Sequence, residues 1–185
     1  PENDTLAKRF RNRMPVLWRA TAAGATLRFR VSIPTEEGVT GRQVAVYDLI
    51  GPGGGAVEVQ VDDEPARKVN RIDGYCTYWR IASLPIGRLD PGDHVIEVRL
   101  LTDRPRKETI LFERNRPDLE KHPEKYVPNQ WYASALMVFG DASSPWDDAS
   151  AVCPEGPGET PACLLSVRSA IGFSETAHPR GKLHD

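Results

Sequence analysis

A short stretch of this 185-residue chain gathers the side chains best suited to hold a ligand: Tyr75, Tyr78 and Trp79, flanked by Asp73 and Arg80, with Trp131-Tyr132 supplying two more rings. Exposed aromatic rings are flat apolar platforms on which a sugar ring can stack, and a carboxylate and a guanidinium beside them can hydrogen-bond its hydroxyls. The same residues fit a plainer role. A strand from Tyr75 to Ser83 inside a sheet protein would use its rings as core filler and pair Arg80 with an acid. Core packing is the leading account and a ligand face the alternative. Strict alternation would place Tyr75, Thr77, Trp79 and Ile81 on one side and Cys76, Tyr78 and Arg80 on the other, so both roles fit one strand. Asp73, Tyr75, Tyr78, Trp79, Arg80 and Trp131 are therefore the candidate ligand-binding residues.

Other reactive groups point to structure rather than chemistry. Gly51-Pro-Gly-Gly-Gly55 follows a strand-like run as a phosphate loop would, but the residues after it alternate as another strand, which leaves no helix N-terminus for a phosphate. A glycine turn is the better account. Asp62-Asp63-Glu64 lacks the alternating acidic spacing of a calcium loop and reads as turn chemistry. His94, His122, His178 and His184 have no Cys or His partner at zinc-ligand spacing; His94 is expected to bond a neighbouring loop and pin its own turn. Cys76 reads as a small buried residue in a strand. Cys153 and Cys163 would close a loop if the chain were exported. No thiol has an accompanying base, and no metal or cofactor is expected.

The elements that must position these groups follow a period of two. Leu27, Phe29, Val31 and Ile33 alternate with Arg28, Arg30 and Ser32; Val57, Val59 and Val61 alternate with Glu58 and Gln60; Ile96, Val98 and Leu100 alternate with Glu97 and Arg99. Each is expected to be an antiparallel strand with one packed face. Val44–Ile50, Tyr75–Ser83, Thr109–Phe112 and Tyr132–Phe139 are further strands, the last central because both of its faces are apolar. Asp90-Pro91-Gly92-Asp93 supplies a β-turn. Helix is limited to a turn or two over Asp118–Lys125, interrupted by Pro123. About seven short strands at this spacing predict an all-β fold, an antiparallel β-sandwich of jelly-roll type, over residues 1–141. Residues 142–185, rich in Pro, Gly and Ser, are expected to form a largely irregular, poorly ordered tail in which only Ala162–Phe173 is suited to a short helix or strand.

Charge removes other classes. The chain carries 24 Lys and Arg against 26 Asp and Glu, a net charge of −2. Lys8–Arg13 and Arg104–Lys107 are local clusters with acids nearby, so no nucleic-acid partner is expected. No apolar run approaches the roughly 18 residues of a membrane span. The chain opens on Pro1 without an apolar leader and is expected to be a processed product or a piece of a longer protein.

A series of segments carries a family resemblance: Pro15-Val-Leu-Trp18, Gly24-Ala-Thr-Leu-Arg-Phe29, Tyr47-Asp-Leu-Ile-Gly-Pro-Gly-Gly-Gly55 leading into Val57-Glu-Val-Gln-Val-Asp62, Arg71-Ile-Asp-Gly-Tyr-Cys-Thr-Tyr-Trp-Arg80 and Leu89-Asp-Pro-Gly-Asp-His-Val-Ile-Glu-Val98. Together they resemble the β-sandwich accessory domain on the C-terminal side of the catalytic domain in bacterial SGNH/GDSL-type hydrolases. The likeness spans about residues 6–141, and Asp73–Arg80 is its most specific part. It implies a non-catalytic module beside an esterase acting on acylated carbohydrate or a similar ester, in an extracytoplasmic setting, with the hydrolase domain and carbohydrate as partners.

The catalytic groups of such an esterase are not expected here. Phe139-Gly-Asp-Ala-Ser143 imitates the nucleophile block, but Ala142 stands where the serine should be; Glu175-Thr-Ala-His178 imitates the base block. About 35 residues separate the two, too few for an α/β hydrolase domain, and no Gly-x-Ser-x-Gly elbow is present. The expected role is thus a binding or docking module. The alternative is a fragment of a carbohydrate esterase or lipase whose Ser-His-Asp residues lie outside the chain. A small enzyme built on Asp73, Arg80 and His94 is a distant third.

Overall fold

The computed structural model describes residues 5–35 and 40–139 and the backbone of 162–166. Among these residues the strands are β1 (Trp18–Ala20), β2 (Thr26–Ile33), β3 (Arg42–Ile50), β4 (Ala56–Val61), β5 (Arg67–Asn70), β6 (Arg80–Leu89), β7 (Gly92–Leu100), β8 (Trp131–Phe139) and β9 (Ala162–Ser166). Helices α1 (Thr5–Phe10), α2 (Lys107–Ile110) and α3 (Arg116–Lys121) are short, with single 3₁₀ turns at Glu113–Asn115 and Pro123–Lys125. No helix among the described residues is long and apolar enough to cross a membrane.

Strand pairing is nested. β1 pairs with β8, β2 with β7, β3 with β6 and β4 with β5, all antiparallel. A single long hairpin folded over on itself produces this pattern, and it places the strands in two sheets, β1-β8-β3-β6 and β5-β4-β7-β2. That is the expected all-β sandwich, in jelly-roll order. β9 adds to the free edge of β2 as a parallel strand. Otherwise the expected tail over 142–185 lies outside the described residues, as do residues 140–143 and 175–178 of the two motif imitations, Cys153 and the side chain of Cys163, and the histidines at 178 and 184.

The core lies between the sheets. Phe29, Val31 and Ile33 of β2, Val44 and Val46 of β3, Val57 and Val59 of β4, Leu84 of β6, Ile96 and Val98 of β7, and Trp131 and Leu136 of β8 meet there. Burying each large apolar side chain contributes about 1.5–3 kcal/mol. β8 lies between β1 and β3, as its double apolar face predicts. One detail sharpens that reading: Tyr47 of β3 faces Ala135 while Asp48 faces Ala133, so Ser134 is an extra residue. This bulge switches the parity of β8. Trp131 and Ala133 before it, and Leu136 and Val138 after it, all turn inward.

The outer face of the first sheet is also covered. Leu6, Ala7 and Phe10 of α1, with Met14 and Leu17, pack on Leu49 and Tyr132. A third apolar cluster joins Ile50, Ile72, Cys76, Leu111 and Tyr126. Two polar anchors tie these layers together. Asp48 is fully buried and takes two hydrogen bonds from Arg71, at 2.7 and 2.6 Å, and one from the Trp131 indole at 2.9 Å. Lys107, also buried, donates its ammonium protons to the carbonyls of Pro52 (2.7 Å), Pro128 (2.9 Å) and Tyr126.

Two expectations are corrected, and one strand, β5, escapes the alternation pattern. Tyr75–Trp79 is not strand; β6 starts at Arg80. The Asp73 carboxylate accepts the Tyr75 N–H at 2.9 Å and the Asp73 carbonyl accepts the Cys76 N–H at 3.2 Å, so a local turn takes the backbone groups that a ladder would use. Thr109–Phe112 is not strand either. Residues 107–110 coil as α2, anchored by the Lys107 ammonium and by Thr109 Oγ1 on the Arg106 carbonyl at 2.8 Å. Finally, β5 reads Arg-Lys-Val-Asn and shows no alternation, because an edge strand carries charge instead of a buried face.

Candidate functional site

Two loops build a platform at the start of β6. The first is the turn Asp73–Trp79; the second is the stretch Leu111–Asn115. Gly74 joins them: its carbonyl accepts the Phe112 N–H at 3.2 Å and the Asn115 Nδ2–H at 2.6 Å. Its missing side chain matters, because a Cβ there would lie 2.7 Å from the Phe112 ring. Phe112 therefore lies flat over Gly74 and meets Tyr75 edge-on, with ring centroids 4.7 Å apart and planes at 81°. The Arg114 guanidinium sits 5.4 Å from the Tyr75 ring centroid and 5.7 Å from that of Phe112. Arg80 approaches the Tyr75 ring at 6.0 Å.

These rings are open to solvent. Tyr75 is 51% exposed, Tyr78 56% and Phe112 46%. Of these, Tyr75 and Phe112 are held by the Gly74 contact and by the two hydrogen bonds to its carbonyl, and so form a preorganised surface. Arg80 is ion-paired to Asp73, and the Asp73 carboxylate also accepts the Tyr75 N–H. Partial burial works against that carboxylate, but the Tyr75 N–H, Arg80 and the Cys76 thiol together hold it below its usual range. Beneath them, burial pushes the Cys76 thiol up to about 11, so it stays protonated and is no nucleophile.

The structure brings Asp73, Tyr75 and Arg80 together, and Tyr78 lies exposed in the same turn, two residues before Arg80. It separates the two tryptophans. Trp131 is 2% exposed, its ring in the sandwich core and its N–H on Asp48, so it presents no face to a ligand. Trp79 is half-buried against Tyr132 at 5.2 Å and lies across Gly51, where any Cβ would strike its indole. Sequence reasoning missed Phe112, Arg114 and Asn115. An aromatic followed by Glu-Arg-Asn after the apolar Ile110-Leu111 looks like the end of a strand, and only the Gly74 contact reveals its second role.

His94 lies elsewhere. Its Nδ1 is 2.7 Å from Asp62 and its Nε2 is 2.8 Å from the Asp90 carbonyl, and Asp62 also accepts the Val95 N–H at 2.7 Å. It pins the β6–β7 turn, as expected. Burial disfavours the imidazolium, but Asp62 and the Asp90 carbonyl outweigh it and raise the His94 pKa. Asp90 follows the last residue of β6 and Arg80 is its first. At about 3.3 Å per residue, most of the strand's length separates His94 from Arg80, so the trio Asp73, Arg80 and His94 does not share a site. Asp62 has a left-handed φ of 47° at its turn, as an Asp tolerates. Among the described residues no group of three or more metal-ligating side chains gathers.

No family model and no curated protein matches the chain.

Proposed function

We propose that the chain is a non-catalytic β-sandwich module of an SGNH/GDSL-type ester hydrolase, working outside the cytoplasm, and that it binds carbohydrate. The esterase serine, histidine and aspartate belong to the hydrolase domain of the parent protein. The observation that carries the binding reading is the platform of Tyr75, Tyr78 and Phe112. Tyr75 and Phe112 pack edge-on across the joint made by Gly74 and Asn115, beside an ion-paired Asp73 and Arg80, and Tyr78 is a third exposed ring in the same turn. Monomeric proteins seldom gather exposed aromatics without a partner for them. Sugars pair an apolar ring face with a rim of hydroxyls, which suits rings flanked by a carboxylate and a guanidinium.

Affinity electrophoresis through gels cast with different polysaccharides tests this. The wild-type chain is retarded by at least one of them, and Tyr78→Ala, which removes a largely exposed ring, weakens retardation about five- to tenfold. A chain that migrates freely in every gel, or a Tyr78→Ala variant retarded as strongly as wild type, overturns glycan binding at this face. Docking of the hydrolase domain on the same rings would then account for their exposure.

A further inference from the structure

The platform carries more positive charge than a neutral sugar needs. Arg80 is neutralised by Asp73, but Arg114 has no ion pair and no hydrogen bond among the described residues; its only contacts of note are the Tyr75 and Phe112 rings. Its chain neighbour Glu113 makes no ion pair with it. An exposed arginine normally waves in solvent at a large entropic cost to any ligand that would fix it. Arg114 is instead laid against two rings. Such contacts contribute about 0.5–1 kcal/mol at exposed sites and engage the guanidinium as a charge near a ring face, which leaves its N–H groups free to donate.

We infer that the face made by Tyr75, Tyr78 and Phe112 takes an acidic glycan, with Arg114 as the residue that binds its oxyanion. The inference rests on the carbohydrate reading above. The ligand class is a sugar bearing a carboxylate or a sulfate, stacked on the Tyr and Phe rings with its anionic group on the planar N–H fork of Arg114. General attraction does not account for such binding, since the chain as a whole carries a net charge of −2 and repels polyanions at long range.

The test compares three polymers at physiological ionic strength: polygalacturonate for a carboxylate, dextran sulfate for a sulfate, and unmodified dextran as the neutral arm. The expected result is binding to one or both acidic polymers at least about tenfold tighter than to dextran, with Arg114→Gln cutting acidic binding about tenfold or more, the size of a charge-assisted hydrogen bond. Arg114→Lys, which keeps the charge and loses the fork, falls between. Arg99→Gln, a solvent-exposed arginine paired with Glu58 on the other sheet, leaves binding unchanged and controls for net charge. The acidic arm that responds identifies the oxyanion. Equal binding to dextran and the acidic polymers, or acidic binding indifferent to Arg114→Gln, overturns the inference while glycan binding stands. Binding to no glycan of any kind, in these arms or in the gels above, overturns both.

Discussion

Removing the Arg71 guanidinium would leave the Asp48 carboxylate inside the sandwich with the Trp131 indole as its one remaining donor. Burial pushes Asp48 up to about 6, and Arg71 works against that rise, so the carboxyl is ionised at neutral pH. Breaking such a buried pair by truncating one partner costs about 3–5 kcal/mol, a large share of the roughly 5–15 kcal/mol that holds a domain folded. Arg71→Ala is therefore expected to lower the urea midpoint steeply; a change under about 1 kcal/mol would contradict the anchoring role. His94 gives a prediction of opposite character. Its folded-state pKa is raised, so its bond to Asp62 stabilises the protein fully below the ordinary imidazole value of about 6.5 and is lost as pH climbs through the raised folded value. The stability difference between wild type and His94→Gln, followed by thermal unfolding across that window, should shrink as pH rises. A difference that stays flat or grows would refute it.

At the scale of elements, the alternating strands were legible because one wet and one packed face leave a period-two trace, and β2, β4 and β7 follow it, whereas β3 is buried on both faces. Where a local contact overrides the period, the trace misleads. The Asp73 side chain captures the Tyr75 N–H and holds 75–79 out of the ladder, although the run is rich in strand-forming residues. β8 looked apolar on both faces partly because its Ser134 bulge swaps inward and outward positions midway. The site was half legible for the same reason. Asp73, Tyr75, Tyr78 and Arg80 are contiguous enough to be noticed, whereas Phe112 and Arg114 reach Tyr75 only through tertiary contact. Gly74 is the hinge of that contact, and Gly74→Ala would drive a methyl group into the Phe112 ring. Overpacking of this kind costs about 1–3 kcal/mol. The variant is expected to stay folded by circular dichroism and to lose glycan retardation; unchanged retardation would show that the platform does not depend on this joint.

For the whole molecule, the nested pairing means that all eight strands of the roll lie within residues 18–139, and β9 only lengthens one edge. A chain ending at Phe139 should unfold cooperatively in urea, at a cost of roughly 1–3 kcal/mol for the lost edge hydrogen bonds. Failure to fold would make β9 part of the sandwich proper. The central claim concerns what this closed roll presents to its surroundings. Nuclear magnetic resonance mapping of the full chain during titration with an acidic oligosaccharide addresses it most directly. The account predicts that the resonances of Tyr75, Tyr78, Phe112 and Arg114 shift together and saturably, while those of Trp131 and His94 do not. Shifts clustered on another face, or none at all, would contradict it.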